Sequence, residues 1–191
     1  VDWSGSGSGQ VEVMETNEEG CDTTVLKDVH EAHKTVPAIS EADTVCDYTA
    51  SHTYSTTNNS GHTYTWSVTN GSITSNSGNS ITVYWSGNGS GQVEVMETNE
   101  EGCDTTVLKD IHVEPKPAPA ISGADTVCEY TTAHTYSTTN NIGHSYTWSV
   151  TNGSITSNSG NSITVDWSGN GSGQVEVIET NEEGCDTTVL K

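Results

Sequence analysis

The sequence has no phenylalanine, two methionines, four prolines and only five basic side chains in 191 residues. Five Lys and Arg against 26 acidic residues leave a net charge of -21. That excludes nucleic acid as a partner, because phosphate binding is driven by basic side chains that displace counterions. No apolar run approaches the roughly 20 residues of a transmembrane helix, so no membrane contact is expected within this segment. No stretch keeps a helical apolar period over the length of a stable helix, which leaves strands as the regular structure. There is no Cys-x-x-Cys spacing to hold a metal and no Gly-x-Ser-x-Gly elbow or Ser-His-Asp order to run acyl transfer, so an enzyme is not expected. The glycines at 87, 89 and 91 precede no helix that would present its N-terminus to a phosphate, and read as a hairpin connection.

What is present is a repeat of fixed period: Val1-Asp2-Trp3-Ser4-Gly5 returns as Val83-Tyr84-Trp85-Ser86-Gly87 and as Val165-Asp166-Trp167-Ser168-Gly169. Residues 38–109 and 120–191 differ at eight of 72 positions, mostly polar or turn-like sites, while the apolar pattern stays fixed. The repeat divides the chain into the end of one module with its linker (1–36), a complete module (37–114), a Pro-rich linker (115–119) and a second complete module (120–191). Because the first copy opens part-way through a module, the chain is expected to be a window on a longer array. Pro115, Pro117 and Pro119 predict a stiffer second junction than the first, where only Pro37 stands.

A Ser-, Thr-, Asn- and Gly-rich composition alone would suggest disorder, but regularly spaced Trp, Tyr, Val and Ile overrule it. In residues 63–69, Tyr64, Trp66 and Val68 share one face, and Asn70-Gly71 ends the run as a turn. Ile81, Val83 and Trp85 alternate in the same way, as do Val93 and Val95 within 92–98. Residues 103–113, 44–46 and 52–56 complete the set. Short strands with turn signals at close, regular intervals predict an all-β fold, a linear array of tandem immunoglobulin-like sandwich modules with Greek-key connections.

Each complete module has two cysteines at the same spacing, Cys46 with Cys103 and Cys128 with Cys185. Pairing within a module would staple a small core, contributing on the order of 4 kcal/mol in the chain-entropy model, with Cys21 joined to an upstream partner. The rival pairing, Cys21 with Cys46 and Cys103 with Cys128, would instead lock neighbouring modules across the linker between them. Either needs an oxidising compartment, so the expected location is extracellular.

The remaining candidates each compete with a structural role. Trp66 and Trp148 fit the buried tryptophan of a sandwich, whereas Trp3, Trp85 and Trp167, beside glycine-rich turns, are expected to be partly exposed and open to sugars. Asp43, Glu100, Glu101 and Asp104, with Asp125, Glu182, Glu183 and Asp186 in the next module, are calcium candidates, although no Asp-x-Asp-x-Asp-Gly loop is present. His52 with His62, and His134 with His144, are placed to face one another across neighbouring strands as solvent-facing side chains. Lys27, Lys109 and Lys191, on the last strand of each module, are the residues that an isopeptide cross-link would use.

The order Val45-Cys46, Tyr64-x-Trp66-x-Val68, Gly71-Ser72-Ile73, Ile81-x-Val83-x-Trp85, Gly91-x-Val93-x-Val95, Thr98-Asn99 and Gly102-Cys103 resembles the PKD-like, immunoglobulin-like repeats of giant surface proteins in Bacteroidota. The resemblance covers essentially the whole chain. It implies a cell-surface filament or adhesin exported by the type IX secretion system, with neighbouring repeats, other filaments or surface glycans as partners and no catalytic residues. It also implies O-glycans on Thr following Asp, at Thr23, Thr44, Thr105, Thr126 and Thr187. A carbohydrate-binding module array attached to a secreted hydrolase is the alternative, and it requires exposed aromatics on one sheet face.

Overall fold

The computed structural model describes residues 7–48 and 52–191, and all regular structure among them is strand. A hairpin comes first, β1 (Gly7–Thr16) with β2 (Asp22–Glu31). The first complete module follows with β3 (Thr44–Cys46), β4 (His52–Ser55), β5 (Thr63–Thr69), β6 (Gly71–Asn76), β7 (Ser80–Trp85), β8 (Gly89–Thr98) and β9 (Asp104–Glu114). The second has β10 (His134–Ser137), β11 (Ser145–Thr151), β12 (Gly153–Asn158), β13 (Ser162–Trp167), β14 (Gln174–Thr180) and β15 (Asp186–Leu190).

Each module is two facing sheets. In the first the order is β3-β9-β8-β5 against β4-β7-β6, and in the second β11-β14-β15 against β10-β13-β12. Period-two alternation puts Ile81, Val83 and Trp85 of one sheet against Val93, Val95, Ile111 and Val113 of the other, with Val45, Tyr54 and Trp66 filling the same core. The tandem all-β sandwich expected from the repeat is the fold observed. β1 and β2 pair from Gly7 with Glu31 to Thr16 with Asp22, the same register as β8 and β9 one period later. The hairpin therefore repeats the β8-β9 pair of the complete module. Its Val13 and Val25 stand 61 % and 64 % exposed, whereas the counterpart Val95 is wholly buried.

The structure adds local detail at three places and corrects the expectation at one of them. Asn70-Gly71 does turn the chain, but into the opposite sheet, since β5 and β6 belong to different layers. Asn70 takes a left-handed φ of 58°, and Gly71 must be glycine because a Cβ there would lie 2.8 Å from the Trp85 ring. The glycines at 87, 89 and 91 also cross between sheets, from β7 to β8, and form no hairpin. Finally, β3 runs parallel to the far end of β9, Thr44 opposite His112 and Cys46 opposite Glu114. Thr126 to Cys128 forms no strand in the second module, whose last strand is β15.

Candidate functional site at the module junction

The parallel pairing of β3 decides the disulfides. Cys46 lies opposite Glu114, while Cys103 precedes Asp104 at the other end of the same strand. Eleven residues of strand at about 3.3 Å each put the two cysteines roughly 36 Å apart, whereas a disulfide needs Cα atoms within about 7 Å. The expected bonds Cys46 to Cys103 and Cys128 to Cys185 do not form. Cys46 is joined instead to Cys185, 139 residues away, with a Cα separation of 5.5 Å. Cys21, Cys103 and Cys128 are free, so the rival pairing is absent as well. The bond ties the end of the first module where the chain leaves to the turn between β14 and β15, at the near end of the second.

The same turn is fastened to the linker. Asn181 accepts from the Cys185 N–H at 2.8 Å through Oδ1 and donates from Nδ2 to the Pro115 carbonyl at 3.3 Å. One period earlier, Asn99 accepts from the Cys103 N–H at 2.8 Å and donates to the His33 carbonyl at 3.0 Å. The junction is thus built twice by the same rule. At the second, the Lys116 N–H also donates to Asp47 Oδ1 of the first module at 2.8 Å.

Beneath each turn sits a buried carboxylate. Alternation along β8 aligns Glu97 with Val93 and Val95, and its side chain is 1 % exposed. Its Oε1 accepts from Asn59 Nδ2 at 2.7 Å and from the Tyr64 hydroxyl at 3.3 Å, and meets His62 Nδ1 at 2.7 Å. Burial acts to raise the Glu97 pKa, but hydrogen bonds from Asn59, His62, the linker hydroxyl of Thr35 and Tyr64 outweigh it and hold it below the usual carboxylate range. Glu179 repeats the cluster with Asn141 and His144, each at 2.7 Å, and Tyr146 at 3.4 Å. There, however, Pro117 stands where the first linker has Thr35, and Glu179 Oε2 is left without a partner. A carboxyl whose folded pKa is depressed contributes stability that is present above the unfolded value and lost as pH falls through the folded one. Glu97→Gln is therefore expected to lower the urea midpoint of the first complete module at neutral pH, and the gap from the parent should close as pH drops through the carboxylate range. Urea titrations at stepped pH check this; a constant gap would mean that Glu97 acts through shape alone.

Other candidates are dispersed. Asp43 forms an ion pair with Lys109 at 2.6 Å near the end of β9, whereas Glu100, Glu101 and Asp104 lie at its start. Asp125 likewise pairs with Lys191, away from Glu182, Glu183 and Asp186. Among the described residues, no three or more His, Cys, Asp or Glu gather to hold a metal, so the calcium candidates are not brought together. The histidines do not face each other. His52 pairs with Val83 in the β4-β7 sheet while His62 serves Glu97, and His134 reaches the Thr131 hydroxyl while His144 serves Glu179. Thr23, Thr44 and Thr126 are exposed, but Thr105 and Thr187 are half-buried on the inward faces of β9 and β15.

Trp66 and Trp148 are buried, each indole N–H donating to a glycine carbonyl, Gly78 or Gly160, at 2.8 Å. Trp85 and Trp167, expected to be partly exposed, are 0 % and 7 % exposed, because the glycine-rich segments beside them close over the rings. Trp3 lies outside the described residues. A cleft at the far end of the second module is lined by Val127, Tyr136, Trp167 and Val175. In the first module the counterparts Val45, Tyr54, Trp85 and Val93 are packed by Ile111 and Val113, so this space belongs to the core. Sequence reasoning missed the buried Glu97 and Glu179 and the clamping Asn99 and Asn181. The first pair was signalled by its place on the Val93, Val95 face.

Residues 32–113 and 114–190 each match the family model described as a PKD-like domain. No curated protein matches the chain. Among solved structures, the human desmocollin-1 ectodomain aligns at TM-score 0.31 and 12 % identity over 96 % of this chain and 43 % of that one. Protocadherin gamma B7 extracellular cadherin domains 1–4 align at 0.30 and 10 %, over 97 % and 56 %. A Bacteroides ovatus mixed-linkage glucan utilization locus protein, SGBP-B, in complex with a mixed-linkage heptasaccharide, aligns at 0.32 and 13 %, over 82 % and 46 %. The chain thus spans about two fifths to three fifths of the length of these structures.

Proposed function

The chain belongs to the PKD-like domain family, and from that premise we propose that it is a structural segment of a long extracellular filament or adhesin stalk at the cell surface. The observation that carries the reading is the bond from Cys46 to Cys185, which fixes one module to the next. Two domains meant to move independently gain nothing from a covalent tie across their junction, whereas a spacer gains a set direction and reach. The Asn181 grip on Pro115 and the Asp47 grip on Lys116 support the same reading, because they hold the linker backbone itself. A disulfide forms and persists in an oxidising compartment, which supports an extracellular location. A net charge of -21 keeps neighbouring copies apart.

Export by a type IX system and O-glycosylation extend this proposal. Thr44 and Thr126 are the favoured acceptors, since a glycan needs an exposed hydroxyl. A sugar-binding array has no comparable observation behind it, because the described tryptophans it would use, Trp85 and Trp167 among them, are buried. Small-angle scattering tests the stalk reading. The oxidised chain should give one sharp maximum dimension, broadening on reduction, and hexose masses from native material should fall on Thr44 and Thr126 rather than Thr105 and Thr187. An oxidised chain that already scatters with a broad spread of dimensions would sink the stalk; bare Thr44 and Thr126 peptides would remove the glycans.

A further inference from the structure

Cys128 is Cys46 one period on, and Cys103 is Cys185 one period back. The bond seen between Cys46 and Cys185 is thus a bond between two repeat positions, each of which occurs again in this chain as a free thiol. The surroundings recur with the cysteines. Asn99 grips the linker before its module as Asn181 grips the linker before the next. Glu129 stands in the place of Asp47, another carboxylate able to accept from an entering linker. Cys103 and Cys128 also sit at opposite ends of the pair of modules, one at the turn that meets the preceding linker and one where the counterpart of β3 would end.

We propose that Cys103 and Cys128 are halves of the same inter-module bond, Cys103 taking the Cys46 counterpart of a preceding module and Cys128 the Cys185 counterpart of a following one. An array of these modules is then one covalent ladder. The inference rests on the reading of the chain as a structural array and gives that array its cross-link. Each closure joins two thiols with loss of two protons and two electrons; the oxidant is a disulfide of the thiol–disulfide exchange class, whose own S–S bond is cleaved to two thiols. Each loop spans 139 residues, longer than the single period that separates Val1 from Val83, so successive loops overlap and every module is bridged on both sides. The shortest covalent route crosses a disulfide, follows the short segment from a Cys103 position to a Cys128 position, and crosses the next. Tension carried that way loads β9 and the linker after it and leaves the other strands of each core out of its path.

Two lengthened chains test it, one with a further copy of residues 110–191 after Lys191 and one with a copy of residues 83–164 before Val1. After oxidation with glutathione disulfide, non-reduced peptide mapping should find two bonds in each instead of one. The new bond should run from Cys128 to the added copy of Cys185 in the first chain, and from the added copy of Cys128 to Cys103 in the second. Should Cys128 and Cys103 remain alkylatable in both, the ladder is wrong. Scattering of the same samples separates the two ideas: rigid rods without the new bonds leave the stalk reading standing alone, and fully bonded chains that bend freely at the junctions overturn the stalk while the ladder stands.

Discussion

Pulled between its two ends, the oxidised chain will lengthen by about 500 Å less than the reduced chain, because the 139 residues enclosed by Cys46 and Cys185 never enter the path of the force at about 3.6 Å per residue. Only the segments outside the bond bear tension: the β1-β2 hairpin, the linker that follows it, β3 and, after Cys185, β15. Most of both cores, from Trp66 to Val113 and from Trp148 to Val177, lies between the two sulfurs and stays out of the path of the force, while Val45 and Val189 lie outside it. Cys46→Ser should reproduce the reduced trace without reductant. The same variant should cost equilibrium stability on the order of 5 kcal/mol in the chain-entropy picture, because a loop this long restricts the unfolded ensemble strongly. Single-molecule extension under oxidising and reducing buffer reads the difference directly. Equal final lengths would mean that Cys46 and Cys185 are not joined.

That bond was the least legible feature of the sequence, for a physical reason. In a repeat, every cysteine has chemically identical counterparts, and the spacing from Cys46 to Cys103 within a module cannot be ranked against the spacing from Cys46 to Cys185 across two. The choice is made by β3 lying parallel to the end of β9, a pairing of Thr44 with His112 that no local pattern encodes. Where one sheet face is buried the sequence was plain. Alternation placed β5 at residues 63–69, as observed, and found β7, β8 and β9 close to their observed ends. It missed β6, whose Gly71-Ser72-Ile73-Thr74-Ser75-Asn76 carries one large apolar side chain, and that one is 38 % exposed. A strand without a buried face leaves no period to read. Glu97 lay in the open in the opposite sense, at an inward position of a strand already recognised, where an acidic residue implies donors waiting for it.

Trp85 shows how far burial overrides neighbourhood, and its removal should be the most damaging single change to the first module's core. The glycine-rich turn that follows it suggests a ring near solvent, yet the indole is 0 % exposed and meets Tyr54 edge-on at 6.1 Å between ring centroids. Gly91 lies against the ring so closely that a Cβ there would fall 2.5 Å from it. Glycines at 71 and 91 exist to admit the indole and have no side chain with which to refill its space. Trp85→Ala should therefore leave a cavity that cannot collapse, at a cost of about 3–5 kcal/mol, a large share of the roughly 5–15 kcal/mol that holds a domain folded. Trp167→Ala should cost less, because that ring is 7 % exposed beside the cleft lined by Val127, Tyr136 and Val175. Thermal melts with limited proteolysis assign the loss to one module or the other. A Trp85→Ala chain that melts with the parent but no longer binds a glycan the parent bound would return the ring to the surface and restore the sugar platform. A chain whose first module unfolds while the second persists places Trp85 among the residues that hold each module together between its bonds.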